Sequence, residues 1–354
     1  MIRMVGLALL AALLGLAAPA GAEESRLFTD TAPLQVTLSA PFPALVRGAA
    51  TKVTAFPATL EVSDGQGAPE HFAIQLSGRG KTRRTGGYCK FPPLLLTFDK
   101  AAVKGTLFKH QHKLKLVTYC RDADDYEQRI VLEYLAYRLY NLVTPQSFRV
   151  RAAEVTYRNA DGSGAPVKRF GFLIEDLNDV ADRNDRDKLD AATHQVSASR
   201  LDARAAGRAA LLEYMLGNLD WDFLAGPAGA NCCHNSHYIA AHGAVAANAT
   251  GVVPVPYDFD YSGFVDSPYA DAPEGIPVAR LTDRYYRGYC VSTPEMAAVA
   301  DEFRAQRAAM TALIQTEPRL NAAFRGKALS FMDRFFAVLD DPVRYKREVV
   351  THCR

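Results

Sequence analysis

The stretch Lys113-Leu114-Lys115-Leu116-Val117-Thr118-Tyr119 sets leucine against lysine at alternate positions, and soon after it the pattern changes period. Tyr126, Ile130, Val131, Tyr134, Leu135, Arg138 and Leu139 recur at spacings of three and four. A period of two marks a strand and a period near 3.6 marks a helix. The acids Asp122, Asp124 and Asp125 stand just ahead of the apolar stripe, where negative charge suits the free N–H groups of a first helical turn. The stretch therefore reads as a strand over 113–119 feeding a helix over 124–142.

Working outward, the upstream chain is strand-like. Leu34–Leu38, Ala58–Val62, His71–Leu76 and Leu94–Phe98 are short runs with alternating or apolar character, broken by Pro and Gly. Between the third and fourth lies Ser77-Gly78-Arg79-Gly80-Lys81-Thr82-Arg83-Arg84-Thr85-Gly86-Gly87, a loop rich in glycine and base. Downstream of the helix, Phe148–Arg158 and Val167–Glu175 flank Asn159-Ala160-Asp161-Gly162-Ser163-Gly164, a hairpin signature. The charged run 176–190 reads as a hinge. A helix over 198–215 then ends at Gly217-Asn218, strands follow at 236–241 and 252–257, and two helices near 295–316 and 319–339 close the chain.

Composition narrows the function classes. The 354 residues are 49% apolar and 23% charged, so a buried core is assured and disorder is not. Forty-one basic against 39 acidic residues give no electrostatic footprint for nucleic acid. Residues 1–22 read as a signal peptide: Met1-Ile2-Arg3 carries the positive charge, Gly6 to Ala18 is apolar but too short to span a membrane, and Ala20-Gly21-Ala22 suits cleavage. The expected location is periplasmic or extracellular, with no membrane span in the mature chain. Six cysteines beyond the leader suit an oxidising compartment, with their pairing open; Cys232-Cys233-His234 with His237 is the rival reading as a metal site, at a spacing foreign to structural zinc.

The chemistry concentrates late in the chain, in Gly217-Asn218-Leu219-Asp220-Trp221-Asp222-Phe223, then His234-Asn235, then Pro256-Tyr257-Asp258-Phe259-Asp260. Phosphoryl transfer needs a carboxylate to orient the attacking hydroxyl, and an Asn and an Asp to hold Mg²⁺ on the phosphates. Asp and Asn are also common turn residues, so no one of these positions is decisive alone. No Gly-x-Ser-x-Gly elbow occurs, which disfavours a serine hydrolase.

These motifs, in this order, resemble those of the spore-coat protein H (CotH) kinase family, with Tyr257 where that family carries Trp. Arg79-Gly80-Lys81-Thr82 and the Lys-rich run Lys90 to Lys100 resemble the family's N-terminal loop and strand. The resemblance covers about residues 70 to 265. It agrees with the element order in implying an α+β, two-lobed, atypical protein-kinase-like fold. An N-terminal antiparallel sheet lobe over 23–176, with one long helix, would precede a mainly helical C-terminal lobe over 177–354. It implies Asp220 as catalytic acid, with Asp222 as the alternative. Asn235, Asp258 and Asp260 would be metal ligands, and Gly78, Arg79, Gly80 and Thr82 would lie over the phosphates. Lys115 is the expected nucleotide-binding lysine, with Lys113 and Lys90 as rivals and Glu133 or Glu127 as its ion-pair partner. The expected function is an exported kinase using ATP with Mg²⁺ or Mn²⁺ on a protein or other extracytoplasmic acceptor. A nucleotidyl transferase, a catalytically silent binding module of the envelope and a metal-dependent hydrolase are the alternatives.

Overall fold

The computed structural model describes residues 26–85, 87–190, 196–226 and 232–354. The leader expected at 1–22 lies outside them. A short helix α1 (Arg26–Thr29) opens the described chain. The strands β1 (Leu34–Ala40), β2 (Ala55–Ser63), β3 (Glu70–Gly78), β4 (Leu94–Phe98), β5 (Lys113–Val117), β6 (Val150–Asn159) and β7 (Val167–Ile174) follow, with α2 (Phe42–Ala49), α3 (Thr82–Thr85) and α4 (Asp124–Asn141) between them. Period-2 alternation decides which face each strand buries. Leu34, Val36 and Leu38, Phe72, Ile74 and Leu76, Leu94, Leu96 and Phe98, and Leu114 and Leu116 belong to one apolar cluster inside the strands. Lys113, Lys115 and Val117 therefore point the other way, and Val117 joins a second cluster built around α4.

The seven strands close into a barrel in the order β1-β2-β3-β4-β5-β7-β6. Here the expected two-lobed, kinase-like fold with an open antiparallel N-terminal sheet is overturned. The closing contact is parallel, with Leu34 beside Ala153 and Ala40 beside Asn159. All other barrel pairings are antiparallel. Closure removes the edges that an open sheet would leave unpaired. Gly171 makes room for it on β7: a Cβ at that position would stand 2.7 Å from the carbonyl oxygen of Val117 on β5.

The run 176–190 is not a free hinge. It contains α5 (Leu177–Asp182), capped by the Asp176 carboxylate on Asn178 N–H, and β8 (Asp187–Leu189). That strand pairs with β9 (Ser236–Ala240), which pairs with β10 (Val253–Pro256), giving a three-stranded sheet. The remaining α-helices are α6 (Ala203–Leu216), α7 (Met296–Ala305), α8 (Arg307–Gln315), α9 (Ala322–Leu339) and α10 (Pro342–Glu348), and the chain over 262–289 is irregular. Helix α6 stops at Gly217, whose φ of 60° is the left-handed conformation that glycine adopts without strain. Asp124, Asp125 and Glu127 fall in the first turn of α4, as expected of acids, but the N-cap is Ala123, with no side-chain cap; Asp122, Asp124 and Glu127 surround Arg169 at 2.7–2.9 Å.

Disulfides join Cys89 to Cys120, Cys232 to its neighbour Cys233, and Cys290 to Cys353. Pairing of the adjacent cysteines takes their thiolates away from the rival metal reading. Among the described residues no helix is long and apolar enough to cross a membrane.

Candidate functional site

The site lies where the outer face of the barrel meets α4 and the segments after α6 and β10. Register places Lys115 on that face, opposite Leu95 on one side and Ile174 on the other. Its ammonium lies 4.9 Å from the centre of the Tyr257 ring and 6.0 Å from that of Phe148. Burial and the neighbouring Arg79 push its pKa down to about 8, against the pull of Asp258 and Asp176. Lys113 and Lys90, the rivals, are exposed. Behind Tyr257 the His237 ring stacks at 4.5 Å, and burial, Lys115 and Lys188 lower its pKa to about 4, so it is neutral at physiological pH.

Glu133 does not pair with Lys115. It faces Arg83 at 3.5 Å, and Arg83 also donates to the Thr118 carbonyl at 2.5 Å. Glu127 is likewise engaged elsewhere, with Arg169 and the N–H of Phe170. The physical reason is facing: Glu133 and Tyr137 lie one turn apart on α4, on the side covered by α3 and by the chain after β10. The Tyr137 hydroxyl accepts the N–H of Asp258 at 2.9 Å, and its ring meets Phe259 at 4.7 Å.

Asp258 has a φ of 67° and Asn235 one of 52°, left-handed conformations that are uncommon for residues other than glycine. Asp220 stands between them. One of its carboxylate oxygens is 3.2 Å from His234 Nε2, and the other accepts from Asn235 Nδ2 at 3.0 Å. The Asn235 amide also donates to the Asp220 carbonyl, which leaves its own oxygen as the atom free to face a cation. Burial raises the Asp220 pKa and nearby Asp258 adds to it, while His234 opposes both.

Asp260 is buried, accepts from the Tyr269 hydroxyl at 2.9 Å, and has its pKa pushed up to about 7 by burial and by Asp258. Asp222 is held apart from this group. Its oxygens accept from the Tyr289 hydroxyl at 2.6 Å and from Arg354 at 2.8 Å, and its backbone bonds to His234. Burial works to raise its pKa, but those donors outweigh it and leave the carboxylate below its ordinary range. That is the setting of a structural tie to the C-terminus.

The glycine-rich loop reaches the same place. Arg79 N–H closes onto Pro93, Gly80 takes a φ of 76°, and Thr82 lies beside the Tyr261 hydroxyl, just beyond Asp260. Arg79 acts electrostatically on Lys115, Glu133, Tyr137 and Tyr257. The loop therefore lies beside the Asp258–Tyr261 segment, with Gly78 at the end of β3 as its root. The sequence marks Arg83 only as one cation of the basic run Arg79 to Arg84, which could bind a polyanion, and gives no role to Tyr137 or Tyr269. In sequence Arg83 looks like its neighbours Lys81 and Arg84, and only burial separates it from them.

No protein-family model matches the chain, and no curated protein is similar to it.

Among the described residues no three His, Cys, Asp or Glu side chains form a ready cage for a metal. The donor set nevertheless suits a hard cation that keeps part of its shell for water and phosphate. The Asp258 carboxylate accepts no hydrogen bond among the described residues, Asn235 has an amide oxygen to offer, and Asp220 and Asp260 add negative charge on either side.

Proposed function

We propose that the protein transfers a phosphoryl group from ATP, bound with Mg²⁺ or Mn²⁺, to a protein or other acceptor outside the cytoplasmic membrane. One observation carries this reading: Asp258 lies within electrostatic reach of Asp220, Asp260, Lys115, Glu133 and Arg83, which come from five separate stretches of the chain. The proposal keeps the chemistry implied by the resemblance to the CotH kinase family and sets it on a closed barrel.

Asp258 and the Asn235 oxygen would hold the cation, with Asp260 behind them. The cation would neutralise phosphate charge and orient the nucleotide. Lys115 and Arg79 would meet the phosphate oxygens, and the backbone N–H groups of Gly78, Gly80 and Thr82 would border them. Asp220, steadied by His234 and Asn235, would accept a hydrogen bond from the acceptor hydroxyl and take up its proton. Three disulfides support an oxidising compartment, in keeping with export.

The test is thermal unfolding of the oxidised protein with ATP, ADP, GTP and AMP, each with and without Mg²⁺ or Mn²⁺. A ligand at 100 times its dissociation constant stabilises by about 2.7 kcal/mol, which such a measurement detects. A metal-dependent rise with ATP is expected. No rise with any nucleotide at millimolar concentration would overturn the proposal.

A further inference from the structure

A cavity of about 460 Å³ opens between α4, the Gly263–Asp266 segment and α9, on residues that the phosphoryl-transfer reading does not use. Its walls hold three phenylalanines (Phe264, Phe324 and Phe331) and the cations Arg129, Lys327 and Arg334, and cations gather in pairs on two of the rings. Arg129 and Lys327 lie 5.3 and 5.5 Å from the centre of the Phe324 ring. Arg334 lies 5.2 Å from the centre of Phe331, whose ring also meets Arg284, outside the lining, at 3.8 Å. A ring face attracts one cation, but two like charges gathered on one ring repel each other. Among the described residues neither Arg129, Lys327 nor Arg334 is bound in an ion pair, and Asp266 is the single carboxylate in the lining. The Arg129 Nε is buried without a hydrogen-bond partner, an uncommon state for so strong a donor.

Surplus positive charge, an unused donor and an apolar lining that includes Leu132, Phe264 and Val265 around one hollow have a common complement. We propose that this cavity binds a small organic anion bearing an aromatic ring. Its charged group lies between Arg129 and Lys327 and its ring lies against the apolar lining. A bare inorganic ion leaves the apolar walls uncovered, and a neutral aromatic leaves the cations without a counter-charge.

Isothermal titration of the oxidised protein, without nucleotide, compares phenyl phosphate, inorganic phosphate and benzyl alcohol. Phenyl phosphate is expected to bind about tenfold or more tightly than either of the others, a gap of about 1.4 kcal/mol. Lys327 is exposed, so Lys327→Glu reverses a charge without touching the core, and it is expected to weaken phenyl phosphate about tenfold; Arg129→Gln is expected to do the same. Arg79→Gln, at the phosphoryl-transfer site, is expected to leave this binding unchanged. The inference is overturned if phenyl phosphate binds no more tightly than inorganic phosphate, or fails to bind at millimolar concentration. It is also overturned if binding survives Lys327→Glu intact or disappears in Arg79→Gln, since the anion would then sit at the other site.

Discussion

Arg83 and Glu133 face each other 3.5 Å apart with 7% and 2% of their side chains exposed. Asp258 and Asp260 act on the same guanidinium, so Arg83 is a cation shared by three carboxylates. Burial and Asp260 push the Glu133 pKa up to about 8 despite Arg83, which measures how little positive charge the group has to share. Removing the arginine leaves buried charge uncompensated. Arg83→Met is expected to destabilise by roughly 3–5 kcal/mol, as broken buried pairs do. Glu133→Gln should cost less, because Arg83 keeps the Thr118 carbonyl and Asp260. Urea unfolding of both variants decides; an Arg83→Met protein as stable as wild type would show that the pair is not a support.

The two acids flanking Trp221 are expected to separate cleanly. Asp220→Asn should abolish phosphoryl transfer while leaving nucleotide binding and melting temperature close to wild type, because an amide keeps the shape and stays beside Asn235. Asp222→Asn should keep the chemistry but lower the melting temperature, since the charge that meets Arg354 is lost. Asp258→Asn is expected to remove the metal-dependent part of nucleotide binding. The measurements are transfer of labelled phosphate and thermal unfolding on the same samples. Full transfer by Asp220→Asn would rule out its role as proton acceptor.

How far the sequence could be read depended on the range of the interaction. All seven barrel strands show in the alternation of runs such as Leu94–Phe98 and Lys113–Val117, and α4 shows in its 3.6-residue stripe, because these are local patterns. Closure does not show. It depends on Leu34–Ala40 lying parallel to Ala153–Asn159, a pairing across more than a hundred residues that no local pattern encodes. The short helix Phe42–Ala49 was hidden among strand-like neighbours. At the site, Asp220, Asn235 and Asp258 were legible as motif residues and do come together. Glu133 was assigned the wrong cation, since either Lys115 or Arg83 satisfies the sequence and only packing chooses between them.

Closure itself can be tested at Gly171. An alanine there would put its Cβ 2.7 Å from the Val117 carbonyl oxygen, a backbone atom that cannot step aside without parting β5 from β7. Gly171→Ala is expected to cost about 1–3 kcal/mol, in the range of overpacked cores, and to lower the yield of folded protein. Gly162→Ala, in the β6–β7 turn, meets no atom within 4 Å but has a φ of 74°, so its cost should be conformational and smaller. Comparing the two by urea unfolding separates steric closure from turn strain, and equal losses would refute the steric account.

Asp179 offers a pH dependence remote from Asp258. Burial raises its pKa from the ordinary 3.8 to about 6; the amide of Gln111 at 2.7 Å opposes this, and Glu175, Asp176 and Asp182 add to it. The folded pKa exceeds the unfolded one, so the fold favours the protonated acid. The cost of the charge is fully present above about pH 6 and fades as pH falls towards 4. Asp179→Asn keeps an oxygen for Gln111 and removes the charge. It is expected to raise the melting temperature by about 2–4 °C at pH 7.5, with the gain shrinking by pH 4.5. A gain independent of pH would mean that the charge is not its source.

The Cys290–Cys353 bridge spans 63 residues and joins the chain beside Tyr289 to the one beside Arg354. Those two residues are the donors that hold Asp222, so the bridge fastens the C-terminus to the segment that carries Asp220. A loop of this length loses enough unfolded-chain entropy for the bridge to stabilise by roughly 4 kcal/mol. Cys290→Ser with Cys353→Ser is therefore expected to lower stability by about that amount. It should also raise the Asp222 pKa towards its ordinary value as Arg354 loosens, and, like Asp222→Asn, leave phosphoryl transfer by the folded protein close to wild type. Urea unfolding, side-chain titration by NMR and transfer assays read the three effects. If the folded protein without the bridge transfers phosphate markedly more slowly while nucleotide affinity holds, the Asp222–Arg354 tie bears on Asp220 and is not structural alone.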